Sequence, residues 1–181
     1  IFAPSDFLDI GSRASVDQAL SRLADQGVIR RLTRGLYDYP KQSPRFGVLA
    51  PSADDIARAV ARKDNQVLQP SPAMAANQLG LSTQVPSNPT YMTDGPTRTK
   101  KIGRQVIQFR NASPKTLVGA GSKTGTVFQA LRYVGKDHVD DQVIGKIART
   151  LDAKDRAQLA KQSRHVPAWM HPVVQQIVAH A

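Results

Sequence analysis

The chain has 181 residues, a net charge of +11 and no cysteine. Its apolar fraction of 40% allows a hydrophobic core, while the lack of thiols excludes a disulfide framework and thiolate chemistry. No apolar run approaches the ~20 residues of a membrane span, and no leader pattern precedes the first predicted helix. These features predict a cytoplasmic protein that makes no membrane contact.

Residues 12–39 carry the strongest local pattern in the chain. The apolar residues with helical spacing are Val16, Ala19, Leu20 and Leu23. Gly27 ends this helix, and residues 30–39 predict a β-hairpin that turns at residues 33–35. Because a shorter helix is predicted at residues 3–11, the whole arrangement predicts a winged helix-turn-helix, whose second helix enters the DNA major groove.

Eight residues of this segment are predicted to face DNA. They are Ser12, Arg13, Ser15, Gln18 and Arg22 on the helix, and Arg30, Arg31 and Arg34 on the wing. Gln18 and Arg13 have donors and acceptors that suit base edges, whereas the wing arginines would mainly neutralise phosphates. A winged helix can also be purely a protein-interaction module, and the spacing leaves that alternative open.

The excess positive charge is concentrated after this segment. Residues 96–136 contain nine Lys or Arg and no acid, whereas residues 1–50 contain seven basic and five acidic residues. The basic block favours a polyanionic partner, either DNA or an acidic protein surface, with a solvated face kept for solubility as the alternative. The predicted basic surface comprises Arg98, Lys100, Lys101, Arg104, Arg110, Lys115 and Lys123.

The rest of the chain predicts a second domain of helices and short strands. Residues 42–51 are rich in proline and turn residues and are predicted to link a DNA-binding domain at 1–41 to a C-terminal domain at 52–181. Helices are predicted at 52–63, 71–80, 126–135, 138–151, 152–163 and 167–180. Strands at 67–69, 90–93, 101–102 and 105–110 predict a small, mainly antiparallel sheet.

Catalysis has little support in the sequence. Residues 118–125 superficially resemble a phosphate-binding loop, but Leu117 and Ser122 stand where that motif requires glycine. The histidines lack metal-site spacing, and the chain contains no Glu and no nucleophile with a visible base beside it. We therefore predict no enzymatic activity, no metal and no cofactor.

Several segments resemble the AbiEi-type antitoxins of bacterial type IV toxin-antitoxin systems. The most specific are RGLYDYP at residues 34–40 and PSPAMAANQLGLSTQVP at residues 70–86, and the likeness covers nearly the whole chain. The resemblance implies a winged helix that binds inverted repeats of operator DNA and represses its own operon. Such domains usually carry an additional helix first, whereas this chain opens on Ile1-Phe2.

The resemblance also implies a partner and an overall architecture. The partner is a nucleotidyltransferase-like toxin, which the C-terminal domain counteracts with or without a stable complex, and the protein is expected as a monomer in solution or a dimer on DNA. The predicted fold class is α+β, with an N-terminal winged helix-turn-helix followed by an α/β antitoxin domain that has a small antiparallel sheet and a C-terminal helical bundle. The alternative function is a protein-interaction module whose basic C-terminal domain docks on an acidic partner, with little or no specific DNA binding.

Overall fold

A computed structural model describes residues 1–180 and confirms the α+β class. The helices are α1 Arg13–Asp25, α2 Ala53–Lys63, α3 Pro72–Gln78, α4 Lys123–Val134, α5 Asp141–Ala148, α6 Ala153–Gln162 and α7 Met170–Ala179. The strands are β1 Arg30–Thr33, β2 Leu36–Asp38, β3 Gln42–Ser43, β4 Gly47–Val48, β5 Leu68–Pro70, β6 Thr90–Thr93, β7 Arg98–Ile102 and β8 Gln105–Asn111. Within these residues, no helix is both long enough and apolar enough to cross a membrane.

The chain forms two compact units, and the boundaries between them do not coincide with the predicted linker. The first unit contains residues 1–66 and 100–107, and the second contains residues 67–99 and the chain from Gln108 onwards. Helix α2 therefore belongs to the first unit, where Arg62 pairs with Asp6 at 3.0 Å and Lys63 Nζ donates to the Arg34 carbonyl at 3.1 Å. The hydrogen bond from Arg62 lowers the pKa of Asp6. These long-range bonds place the end of α2 against the N-terminal segment, a contact that no local pattern encodes.

Helix α1 forms because Ser12 caps it and one narrow face packs. The Ser12 hydroxyl accepts from the Ser15 backbone N–H at 3.2 Å. Val16, Leu20 and Ala24, at positions i, i+4 and i+8, face the small core of the first unit. The other members of this core are Ile29, Tyr37, Phe2 and Phe7. Ala19 and Leu23, predicted for the packing face, are exposed, because the contact stripe runs along the other side of Leu20.

The predicted hairpin is confirmed, and the preceding chain is attached to it. Strands β1 and β2 pair antiparallel, with Gly35 at φ +72° in the turn and Arg34 beside it at the tip. Phe2 and Tyr37 exchange two backbone hydrogen bonds of 2.9 Å. The segment before the short 3-10 helix Pro4–Phe7 therefore lies alongside β2.

The four-stranded sheet is mainly antiparallel, as predicted, and contains one parallel pairing that the sequence did not predict. Its strand order is β5-β6-β8-β7, in which β5 and β6 pair antiparallel but β6 and β8 pair parallel. Strands β6 and β8 run parallel because the chain reverses direction twice between them, once before β7 and once after it. Strand β7 takes the outer position, so β8 lies directly beside β6. A two-residue turn, Gly103-Arg104, joins β7 to β8.

The second unit packs its helices around one apolar core. The buried members of this core are Val127, Phe128, Leu131, Ile144, Ile147, Ala148, Leu151, Leu159, Val166, Met170, Val174 and Ile177. The last three predicted helices are confirmed in shorter form, with Asp140 capping α5 and Asp152 capping α6. Helix α4 begins at Lys123, three residues before the prediction, so Gly125 lies inside it.

The predicted linker at residues 42–51 is not structureless. Strands β3 and β4 form a small hairpin within it, and the Leu49 N–H donates to the Lys41 carbonyl at 2.8 Å. Nearly all of its side chains are exposed. The predicted linker thus has regular structure and belongs to the first unit.

Candidate nucleic-acid interface

The polar face of α1 carries the five helix residues predicted to face DNA. All five are exposed, namely Ser12, Arg13, Ser15, Gln18 and Arg22. The Ser12 and Ser15 hydroxyls are hydrogen bonded to each other. Among residues 1–180, neither Gln18 nor Arg22 has a side-chain partner, so their donors are available to a ligand.

Arg13 is held only loosely at the start of α1. Its Nε lies 2.9 Å from a carboxylate oxygen of Asp17, and both side chains are about half exposed, at 58% and 49%. An exposed ion pair of this spacing contributes about 0.3–0.5 kcal/mol. Arg13 can therefore exchange this partner for a phosphate at little cost.

Arg30 differs from the other arginines of the predicted wing. It binds the buried Asp38 through two hydrogen bonds of 3.0 and 2.6 Å, which raise the pKa of Arg30, and it also donates to the Leu49 carbonyl at 3.1 Å. Asp38 consequently neutralises the Arg30 guanidinium. The guanidinium links β1 to β2 and to the segment that contains Leu49. Arg31 stacks on Tyr37 at 5.7 Å and keeps an exposed position.

A basic cleft in the first unit joins the start of α1 to the tip of the hairpin. This first-unit cleft has a volume of about 340 Å³, and its charged lining residues are Arg13, Arg34, Lys63, Asp64 and Lys100. Four cations therefore face one acid, in a space that suits an anionic chain. Lys63 Nζ uses one donor on the Arg34 carbonyl, which leaves two donors for a ligand.

Lys63 is the residue of this cleft that sequence reasoning missed. It ends α2, where a basic residue is already explained by the helix dipole. Its approach to Arg34 joins positions 29 residues apart. No local signal in the sequence contains that contact.

The predicted basic surface is divided between the two units. Lys100, Lys101 and Arg104 belong to the first unit, whereas Arg98, Arg110, Lys115 and Lys123 belong to the second. Lys123 is engaged in an ion pair with Asp155 at 2.8 Å, and this hydrogen bond raises the pKa of Lys123 and lowers that of Asp155. Arg98 lies over the Phe109 ring at 5.3 Å. Neither unit therefore contains all seven residues of the predicted basic surface.

Comparisons with known proteins place the chain by family alone. The model of DUF6088, described as a family of unknown function, matches residues 1–159. Neither the search of curated proteins nor the search of solved structures gives a match. In the part of the chain that the structure describes, no group of three His, Cys, Asp or Glu residues is placed to hold a metal ion.

Proposed function

For this chain, which belongs to the DUF6088 family of unknown function, we propose sequence-specific DNA binding by the first unit. In this proposal a winged helix recognises operator DNA and represses transcription of the protein's own operon. Two copies would bind an inverted repeat, one on each half-site. Helix α1 is the recognition helix and the β1–β2 hairpin is the wing.

The first-unit cleft is the observation that carries the proposal. Arg13 at the start of α1 and Arg34 at the tip of the hairpin line the same cleft with Lys63 and Lys100. A phosphate backbone running past the N-terminal turns of α1 meets these cations, which fix the register without reading sequence. The pairing of Phe2 with β2 also supports a winged helix, because it ties the hairpin to the segment before the two helices.

The exposed face of α1 supplies the groups for base recognition. The Gln18 amide can donate to and accept from an adenine, and the Arg22 guanidinium can donate twice to a guanine. Both side chains lie on the exposed side of the helix, facing away from the core formed with Val16 and Leu20. Arg30 is assigned a structural role in the wing, because Asp38 already neutralises it.

Titrating DNA affinity with salt tests the proposal. We expect the full chain to prefer its own promoter fragment over a scrambled fragment of equal length by roughly 1,000-fold or more. If the four cations of the cleft each neutralise one phosphate, log affinity should fall against log salt with a slope of about −3 to −4 per copy. Equal affinity for both fragments would reject operator recognition and favour a protein-interaction module.

The resemblance to AbiEi-type antitoxins supports a second part of the proposal. We propose that the chain counteracts a nucleotidyltransferase-like toxin encoded beside it, and that the second unit carries this activity. This part is supported by the segments at residues 34–40 and 70–86, the second of which lies wholly in the second unit.

Co-expression with the neighbouring toxin gene from an independent promoter tests the antitoxin activity. We expect the full chain to restore growth, and we expect a Gln18→Ala, Arg13→Ala variant to restore it equally, because the promoter makes repression irrelevant. Growth arrest that persists with both proteins would contradict the antitoxin proposal. It would leave the DNA-binding measurement unaffected.

A further inference from the structure

The second unit contains a larger basic cleft that the DNA-binding proposal does not use. This second-unit cleft has a volume of about 750 Å³ and lies between the loop before α4 and the segment before α7. Its basic lining residues are Lys115, Arg132, Arg164 and His165. None of the described residues that line it is acidic.

Arg132 is the most unusual of these cations. It is half-buried on α4, and its Nη2 donates to the Lys115 carbonyl at 3.3 Å, while its Nε is buried without a hydrogen-bond partner in the described chain. No carboxylate in residues 1–180 pairs with it, and burial lowers the pKa of Arg132. A guanidinium nevertheless stays charged in proteins, so an external anion would supply the missing compensation.

Arg164 and His165 provide further donors at the rim. The Arg164 Nε donates to His165 Nε2 at 3.0 Å, which leaves both terminal amino groups of Arg164 to bind a ligand. Lys115 is exposed and makes no side-chain hydrogen bond in the described chain. Three cations from three separate segments thus surround one space, which matches the several donors that a phosphate dianion requires.

Apart from Thr116, the remaining wall of the cleft is apolar. Val118, Val166 and two prolines, Pro114 and Pro167, line it beside the cations. A cleft of this size, with an apolar wall and a few polar groups, is of the type that binds small ligands. An apolar wall would gain little from a bare anion, but it can pack against a planar ring.

We infer that the second-unit cleft binds a small phosphate monoester with a planar or apolar body, of which a nucleoside monophosphate is the simplest example. The phosphate would lie against Arg132, Lys115 and Arg164. The body would lie against the proline and valine wall. This site is independent of operator binding, because every residue named belongs to the second unit.

Calorimetric titration of the full chain with AMP, adenosine and inorganic phosphate tests the inference. We expect one AMP to bind per chain, and we expect adenosine and inorganic phosphate each to bind at least about tenfold more weakly, because each lacks one half of the recognised ligand. A tenfold loss corresponds to one modest charge-assisted hydrogen bond. No binding of AMP at millimolar concentration, or equal binding of AMP and adenosine, would overturn the inference.

Two variants distinguish binding of AMP in the cleft from a general effect of the protein's positive charge. The double variant Lys115→Gln, Arg164→Gln changes exposed residues and should lower AMP affinity at least about tenfold, with an unchanged circular dichroism spectrum. Lys154→Gln removes an exposed charge from α6 outside the cleft and should leave affinity unchanged. An equal loss in both proteins would reject the site.

A competition with DNA identifies the source of the phosphate. We expect saturating promoter DNA to leave AMP bound, because the cleft takes a phosphate monoester and the first unit takes the DNA. Stoichiometric displacement of AMP by DNA would show that the cleft contacts the nucleic acid backbone. That result would overturn the small-ligand assignment while leaving the proposed DNA binding intact.

Discussion

Replacing Gln18 and Arg13 together with alanine is expected to lower affinity for the promoter about 100-fold, which removes most of the preference over scrambled DNA. Gln18 would lose a paired contact to a base edge, worth about 1–3 kcal/mol of discrimination. Arg13 would lose a contact at the first-unit cleft. The measurement is a binding titration on both fragments at one fixed salt concentration.

The matched control for this variant is Arg58→Ala. Arg58 on α2 pairs with Asp54 at 2.6 Å at the same i, i+4 spacing that joins Arg13 to Asp17, with the acid first instead of the base, and it lies outside the cleft. The control removes the same charge and the same type of pair, so we expect promoter affinity to change less than threefold, as for a distant charge. A Gln18, Arg13 variant that kept the wild-type promoter preference would show that α1 is not the recognition helix.

Gly125→Ala is expected to destabilise the second unit by about 2–3 kcal/mol. A Cβ at this position would lie 2.3 Å from the Gly119 carbonyl oxygen and 2.7 Å from its carbon. Both atoms are backbone, so neither can rotate away as a side chain would. The strain of such overpacking outweighs the helix propensity of about 1 kcal/mol that alanine gains over glycine.

Gly145→Ala is the control for this prediction. Urea denaturation of both variants measures the change in the free energy of unfolding. Gly145 is also helical, in α5, but its new Cβ would meet only the His180 ring, at 3.3 Å. Because that side chain can move, we expect stability to change by less than about 1 kcal/mol. Equal denaturation midpoints for the two variants would refute the close packing of Gly119 against Gly125.

The chain itself determined most of the secondary structure, because the relevant signals are local. Ser12, Ser52, Ser71 and Asp152 each precede a helix and cap it, as their side-chain chemistry predicts. Gly35 permits the turn between β1 and β2 through its positive φ. The α1–hairpin sequence and its exposed polar face were therefore predictable without any tertiary information.

Only the tertiary structure decided which of these residues act together. Arg30 and Arg34 look equivalent in sequence, but the buried Asp38 neutralises Arg30, whereas Arg34 joins Lys63 at the first-unit cleft. The parallel pairing of β6 with β8 and the contact of Gly119 with Gly125 likewise depend on the path of the chain. The physical reason is the same in each case: ion pairs, strand partners and close packing join residues that different segments of the folded chain bring together, and hydrophobic periodicity and capping patterns carry no information about such pairs.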